Sequence, residues 1–201
     1  MIEPITQGAD AGAVCLPADC CLALCQDLPR AADLDAAMRI AESVRFRLMG
    51  DGLLTVNLNT SLRAQADQGG AEDERFVELQ RIWTSNAAAY PVGGRKRKAM
   101  TPWTRQLLSH AEVFIGEGDA ALACVFDDHL LIASLGLRAV VNVPMVDERG
   151  NCFATFNALG TRAHWQHSEV LALRLLATLA TPAVFRASRM MLRDGPASVA
   201  S

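Results

Sequence analysis

The sequence predicts an α+β fold in which neighbouring strands are antiparallel. The first observation is the order of the predicted elements. Segments with apolar residues at helical spacing are interleaved with short segments whose apolar and polar residues alternate as in a strand. The second is a pair of β-rich segments, one ending at Val146 and the other running from Cys152 to Leu159. The charged, glycine-bearing residues 147–151 between them are typical of a hairpin turn. The third is a length of 201 residues with 51% hydrophobic side chains, enough to bury the core of one domain.

Residues 1–29 are predicted to form an extension with one short helix between Pro17 and Pro29. A thiolate metal site is conceivable in this extension, but the paired Cys-x-x-Cys spacing typical of zinc folds is absent. If the segment is helical, Cys21 and Cys25 share a face near leucine side chains, and small buried side chains explain the cysteines equally well. We therefore expect no metal ion here. The cysteines concerned are Cys15, Cys20, Cys21 and Cys25.

A first long helix is predicted from Asp33 to Met49, where apolar side chains repeat at helical spacing and Gly50 ends the run. Its arginines, Arg45 among them, are expected to lie largely outside the apolar stripe. Alternating patterns then predict two strands, with a polar loop between them. The strands are Leu53–Asn59 and Phe76–Thr84, and the loop is Arg63–Glu74.

Residues 86–101 have no clean periodicity and carry two glycines followed by a basic run, so this segment is predicted to be a loop. Thr101 and Pro102 occupy the N-cap and first position of a helix that carries Trp103. A short strand over Val113–Ile115 and a turn at residues 116–119 follow.

The next predicted helix is capped by Asp127 or Asp128 and ends at Gly136. It is expected to direct three leucines toward the core, namely Leu130, Leu131 and Leu135. After the hairpin, a long helix begins at residues 165–169 and is expected to be bent or interrupted at Pro182. Its inward residues are predicted to be Val170, Leu173, Leu176, Leu179 and Ala180.

The residues around the hairpin also match a known family pattern. Gly136, Arg138-Ala139 and Val143-Pro144-Met145 precede the turn, and Phe156-Asn157-Ala158 follows it. This pattern resembles the C-terminal half of a GAF domain, and the order of elements over residues 30–192 is similar to that family as well. The resemblance implies a PAS-related central antiparallel sheet, with N- and C-terminal helices on one face and a ligand pocket on the other. Residues 193–201 would then be a flexible tail.

GAF domains sense small molecules such as cyclic nucleotides, amino-acid metabolites or tetrapyrroles, and a few are enzymes. Members that carry a bilin attach it to a cysteine where this chain has His129. GAF-type free methionine-(R)-sulfoxide reductases need two cysteines at places that here hold residues 132–134 and 103–104. The resemblance therefore implies a non-catalytic sensory domain without a cofactor. The alternatives are this thiol-dependent reductase, with Cys124 as the nearby thiol, and an interaction module whose pocket is filled.

The candidate ligand site is the segment 86–103 together with the helix that it faces. Aromatic side chains would form flat apolar walls, and arginines after the two glycines would receive an anionic ligand. The alternative is a solvated basic loop, which is the usual meaning of a charge run, and a lone histidine is usually an exposed helix residue. The candidate ligand-binding residues are Tyr90, Arg95, Arg97, Trp103, Phe126, Asp128 and His129.

Charge and hydropathy restrict the partners. A formal net charge of -3 argues against a nucleic-acid binder, and Arg174 and Pro182 interrupt the most apolar stretch, which argues against a membrane span. The first basic residue is Arg30, so the positive region of a secretory signal is missing and a cytoplasmic protein with reduced cysteines is expected.

Signalling is expected through self-association or a partner protein, because no output-domain signature fits residues 1–29 or the last dozen. Phe185, Met190 and Met191 continue the last helix beyond Pro182, where the domain has little left to cover. An exposed apolar end of this kind favours a homodimer formed through the first and last long helices.

Overall fold

The computed structural model of the chain describes residues 16–61 and 76–193. Cys15, the loop predicted at Arg63–Glu74 and nearly all of the predicted tail lie outside the described residues. Within the described part, six antiparallel strands form one sheet in the order β3-β2-β1-β6-β5-β4, so the predicted α+β class is confirmed. The strands are β1 (Gly52–Asn59), β2 (Phe76–Thr84), β3 (Arg95–Ala99), β4 (Phe114–Glu117), β5 (Ala139–Val146) and β6 (Cys152–Gly160).

The helices connect and cover these strands. A helical segment, α1, begins as Ala18–Leu22, continues as a π-turn at Ala23–Asp27 and ends as a 3-10 turn at Leu28–Arg30. A second composite helix, α3, consists of Pro102–Thr104 followed by a π-turn at Arg105–Ser109. The remaining helices are α2 (Leu34–Met49), α4 (Gly118–Val125), α5 (His129–Ser134) and α6 (His167–Arg193).

One face of the sheet is covered by α2 and α6, which pack against each other. Their buried side chains meet the strands in one apolar cluster that includes Met38, Leu54, Phe156 and Leu173, each with no exposed surface. The predicted arrangement of N- and C-terminal helices on one face is therefore confirmed. This packed layer supplies most of the apolar burial that stabilises the domain.

Helix α2 begins and ends as the sequence predicts. The Asp33 side chain accepts a hydrogen bond from the Ala36 amide at 2.8 Å, and Gly50 adopts a positive φ of 77° at the C-terminus. Arg45 differs from expectation, because it is only 1% exposed. Its guanidinium pairs with Glu42 at 2.6 Å and donates to the Gly50 carbonyl at 3.0 Å, and these partners satisfy the buried charge.

The prediction of a loop over residues 86–101 is wrong at its C-terminal end, where residues 95–99 form the edge strand β3. Strand β3 pairs with β2, from Gln80 opposite Arg95 to Phe76 opposite Ala99. Four consecutive basic side chains show no alternation of apolar and polar character, so the sequence carries no strand signal here. Pairing with β2 supplies the backbone hydrogen bonds instead.

The segment before the hairpin also differs from expectation. Residues 118–125 form helix α4, whereas the sequence predicts only a turn followed by a single helix. In α5 the buried residue is Ile132, while Leu130 is 74% exposed and Leu131 is 39% exposed. The inward face of this short helix is therefore rotated from the predicted one, because Ile132 rather than the leucines packs against side chains of the sheet.

The last helix continues through Pro182 as a single element, so the predicted interruption does not occur. By length and composition it is apolar enough to cross a membrane, contrary to the expectation from Arg174 and Pro182. One side of it nevertheless packs on α2 and β5, as the core helix of a water-soluble domain does.

The N-terminal segment packs on the same helical layer through a different face from the one expected. Cys20, Leu24 and Leu28 are buried, whereas Cys25 is exposed and Cys21 is half-buried. Among the described residues, no group of three metal-binding side chains comes together.

Candidate functional site

The other face of the sheet lines a cavity. Alternate side chains of five strands point into it, as the two-residue period of a strand requires, and residues of α3, α5 and the β2–β3 loop enclose it. The volume of the cavity is about 60 Å³. The lining residues are Leu53, Thr55, Asn57, Leu79, Arg81, Tyr90, Gly94, Lys96, Lys98, Trp103, Phe126, Asp128, Ile132, Val140, Asn142, Thr155, Asn157 and Leu159.

The floor of the cavity is a chain of paired amides. Trp103 Nε1 donates to Asn142 Oδ1 at 3.0 Å, and Asn142 Nδ2 donates to Asn157 Oδ1 at 2.8 Å. The amide nitrogen of Asn157 lies 3.1–3.4 Å from oxygen atoms of Thr55 and Thr155. These groups satisfy one another, so they hold β1, β5, β6 and the Trp103 ring together.

The loop between β2 and β3 folds back and brings Tyr90 into the cavity. Asn86 starts this turn, because its carbonyl accepts from the Tyr90 amide at 2.9 Å and its side chain accepts from the Ala89 amide at 3.2 Å. Arg81 then holds the loop in place. It donates to the Pro91 carbonyl at 3.1 Å, and its guanidinium lies 4.6 Å from the centre of the Tyr90 ring.

Strand β3 presents lysines to the cavity and arginines to the outside. Lys96 pairs with Asp128 at 2.7 Å, and Lys98 pairs with Asp127 at 2.5 Å. Both pairs join the edge strand to the N-terminus of α5 across the mouth of the cavity. Arg95 instead pairs with Glu78 on the exposed side at 2.8 Å. The guanidinium of Arg97 lies 4.1 Å from the centre of the Phe76 ring, also outside the cavity.

Four of the seven sequence-predicted ligand residues line the cavity, namely Tyr90, Trp103, Phe126 and Asp128. Arg95, Arg97 and His129 do not. The His129 ring instead lies with Nδ1 3.0 Å from the Phe126 carbonyl oxygen, within its own turn. Trp103 and Phe126 pack edge to face, with ring centres 5.9 Å apart, and form one wall together.

Sequence reasoning missed Arg81, Lys96 and Lys98. A signal for Arg81 is present in the sequence, because it is an arginine within the predicted strand Phe76–Thr84. A charged residue at such a position must face solvent or a polar cavity. The two lysines carry no comparable signal, since neighbouring residues of the basic run share their charge.

Three buried polar atoms of the lining have no hydrogen-bond partner among the described residues. They are Nε of Arg81, the hydroxyl of Tyr90 and Oδ1 of Asp128. Arg81 is 9% exposed and Tyr90 is 6% exposed, so bulk water reaches neither side chain freely. An unpaired buried polar group costs about 1–3 kcal/mol of folding free energy, and such groups are rare in native proteins.

The electrostatics of this group are shaped by burial and by Asp128. Burial raises the pKa of Tyr90, and the nearby negative charge of Asp128 raises it further, so the phenol stays protonated. Its hydroxyl lies near the Asp128 carboxylate without meeting the geometry of a hydrogen bond. Burial by itself would raise the pKa of Asp128, but the hydrogen bond and charge of Lys96 outweigh it, so that pKa is lowered.

Comparison with known proteins identifies the fold. The GAF domain of a phosphoenolpyruvate-protein phosphotransferase from Coxiella burnetii matches with a TM-score of 0.63 and 11% identity, over 87% of this chain and 95% of that one. The GAF domain of a two-component sensor histidine kinase from Bacillus halodurans matches with a TM-score of 0.57 and 11% identity, over 80% and 99%. The protein has the GAF fold.

The same GAF fold extends to a photoreceptor. The chromophore-binding domain of an unusual bacteriophytochrome from R. palustris matches with a TM-score of 0.55 and 15% identity. That match covers 85% of this chain, which spans 61% of the bacteriophytochrome fragment. No family model matches the sequence, and no curated protein is similar to it. The likeness is therefore one of fold, and it confirms the GAF-like fold implied by the motif around the hairpin.

Proposed function

We propose that this GAF-fold protein is a cytoplasmic, non-catalytic sensor that binds a small anionic molecule in the cavity and reports it through self-association or a partner. The observation that carries the proposal is the set of three unpaired buried polar atoms on the cavity wall, from Arg81, Tyr90 and Asp128. A bound molecule that pairs with them would recover the folding free energy that they cost, and a filled interaction module would have no reason to keep them.

Structural neighbours support the sensory class. Their names describe a domain of a putative two-component sensor histidine kinase from Sinorhizobium meliloti and a methyl-accepting chemotaxis protein. Those descriptions apply to the neighbours, and fold alone does not transfer a ligand or an output. They favour reading the cavity as a sensor pocket over other uses of the same fold.

The charge around the polar end of the cavity supports an anionic ligand. Three cationic side chains, Arg81, Lys96 and Lys98, face two carboxylates, Asp127 and Asp128. One positive charge therefore remains uncompensated at this end of the cavity, where Arg81 and Lys98 are buried, and an incoming carboxylate would neutralise it.

The cysteines support binding rather than thiol chemistry. Burial raises the pKa of Cys152 to about 12, so this thiol is a poor nucleophile at neutral pH. Cys124 is exposed on α4, and no cysteine among the described residues lines the cavity. The alternative of a free methionine-(R)-sulfoxide reductase predicts turnover of that sulfoxide with a thiol reductant, abolished by Cys124→Ser.

Native mass spectrometry of protein purified from its own host tests ligand binding. The wild-type protein is expected to retain a small-molecule mass increment that Arg81→Met loses, because the substitution removes the buried guanidinium and keeps an apolar side chain of similar length. Arg95→Met is the matched control, since Arg95 lies on the exposed side of β3. A wild-type spectrum without any increment, or the same increment in Arg81→Met, would count against ligand binding at this cavity.

An exposed apolar stripe on α6 supports self-association. Leu171, Leu175 and Leu179 recur every fourth residue and are 38%, 39% and 37% exposed, and Met190 and Met191 extend the apolar surface. Leu179, predicted to face inward, thus belongs to this stripe. Phe185, predicted to lie at the interface, instead packs edge to face on Phe153 at 5.2 Å within the domain. A second copy that pairs its own stripe would cover these leucines by a two-fold contact.

A further inference from the structure

The unpaired atoms at the polar end of the cavity are of two kinds. Nε of Arg81 is a donor that needs an acceptor, whereas Oδ1 of Asp128 is an acceptor that needs a donor. The Tyr90 hydroxyl can serve in either role. A ligand that presents an acceptor and a donor close together can satisfy all three.

The charges at the polar end of the cavity decide the chemical nature of these two groups. One positive charge is uncompensated there, so a single ligand carboxylate makes the polar end of the cavity neutral. If the donor were an ammonium group, the positive charge would return and would compete with Lys96 for Asp128, which that lysine already contacts at 2.7 Å. A neutral hydroxyl donates to Asp128 without this competition.

The carboxylate has a place to bind beside Arg81. Lys98 is 10% exposed at its side chain, but its partner Asp127 is 85% exposed. The ammonium group of Lys98 has three N–H donors, so it can keep Asp127 on its outer side and donate to a ligand carboxylate on its cavity side. The lysine then pairs with a ligand carboxylate inside the cavity.

The remaining wall of the cavity is apolar and limits the size of the ligand. Leu53, Ile132, Val140 and Leu159 lie together there in one apolar cluster. A cavity volume of about 60 Å³ leaves room for a short branched hydrocarbon tail at this end. A whole nucleotide or tetrapyrrole would not fit inside it.

We propose that the cavity binds a small hydroxycarboxylate, with its carboxylate at Arg81 and Lys98, its hydroxyl donating to Asp128 and a short apolar tail toward Ile132. The inference rests on the proposed ligand-binding function and names the class of ligand for it. Tyr90 closes the set by hydrogen bonding to whichever of the two polar groups lies nearer.

Four compounds that share one isobutyl tail test this class by titration calorimetry on the full chain. They are α-hydroxyisocaproate, isocaproate without the hydroxyl, leucine with an ammonium group instead, and the vicinal diol with a hydroxymethyl group instead of the carboxylate. The hydroxy acid is expected to bind tightest. Each of the other three loses one charge-assisted hydrogen bond or adds an unfavourable charge, and is expected to bind about tenfold more weakly or worse.

Two variants locate the hydroxyl contact. In Asp128→Ala the hydroxyl loses its acceptor. The Kd of isocaproate divided by the Kd of α-hydroxyisocaproate should therefore fall from about ten to about one. Arg95→Ala, outside the cavity and of intact fold by circular dichroism, should leave the ratio as in the wild type. If Asp128→Ala itself fails to fold, the four-compound series on the wild-type protein still decides the inference.

The outcomes separate this inference from the proposed function. Equal binding of hydroxy acid and isocaproate, tightest binding of leucine, or no binding by any of the four would overturn the hydroxycarboxylate. A host-derived ligand of another class, retained by the wild type and lost from Arg81→Met, would overturn the hydroxycarboxylate and leave the sensor proposal standing. Wild-type protein that carries no bound small molecule in any preparation from its host would instead contradict the proposed function.

Discussion

The two faces of the sheet are built from alternate residues of the same strands, yet one forms a packed core and the other lines a cavity. Leu54 of β1 is fully buried under α2 and α6, whereas its neighbour Leu53 lines the cavity on the other face. The helical face buries mostly hydrocarbon, together with the paired charge of Arg45. The cavity face holds an amide floor, an ion-paired edge and three unpaired polar atoms.

This difference separates the part of the domain that stabilises the fold from the part that holds destabilising groups. Each unpaired buried group costs about 1–3 kcal/mol, so the three unpaired atoms lower the stability of the ligand-free protein. The helical face must offset that loss by packing. Separation of the two tasks onto opposite faces lets the cavity keep groups that are unfavourable until a ligand pairs with them.

The largest expected effect comes from the two adjacent leucines. Leu54→Ala should lower the free energy of unfolding by about 3–5 kcal/mol, because the fully packed helical face cannot collapse around the space. Leu53→Ala should lower it by about 2–3 kcal/mol, since part of its surroundings is already empty. Urea unfolding of both variants measures the difference. Equal losses would show that the cavity face is packed as tightly as the helical one.

The outer side of the helical face gives the next effect. Leu175→Lys places a charge in the exposed stripe of α6 and should weaken self-association about tenfold or more. Light scattering at tens of micromolar, an order-of-magnitude choice for a modest interface, follows the change. Leu130→Lys is the control, because Leu130 is 74% exposed on the cavity side. A monomeric wild type, or equal effects of both lysines, would rule out the stripe as the interface.

The smallest effect is expected at two buried hydroxyls and differs in sign. Tyr90→Phe removes an unpaired hydroxyl, so the ligand-free protein should gain up to about 1 kcal/mol. Thr104→Val removes a hydroxyl that lies 2.8 Å from the Ala99 carbonyl, and it should lose about 1–2 kcal/mol. Thermal and urea unfolding of the ligand-free proteins compare the two. Destabilisation by Tyr90→Phe would mean that its hydroxyl is already satisfied without a ligand.

The candidate site could be predicted only in part. Tyr90 and Trp103 could be predicted because a long non-periodic segment between rigid elements is typical of a binding site, and Phe126 and Asp128 because they begin the helix expected to face it. Within the basic run, the sequence predicted the wrong alternate pair. Arg95 and Arg97 offer the better anion-binding groups, but Lys96 and Lys98 face the cavity.

The spacing of apolar residues also failed to predict which side chains are buried in two of the helices. Arg45 reads as an exposed helix residue, yet it is 1% exposed because Glu42 and the Gly50 carbonyl both meet it. The leucines of α5 read as core residues, yet Leu130 is solvent-exposed. In both cases the neighbours that decide burial come from the surrounding structure, and residue spacing alone does not reveal them.

The sequence by itself determined the order of most elements, the limits of α2 and the hairpin between β5 and β6. These follow from local causes, namely a side-chain period of two or 3.6 residues, a capping aspartate and glycines at turns. Only the tertiary structure decided which side of β3 faces the cavity, because that depends on its pairing with β2. It also brought Lys96 to Asp128, 32 positions away along the chain, since the cavity mouth closes between an edge strand and a helix terminus.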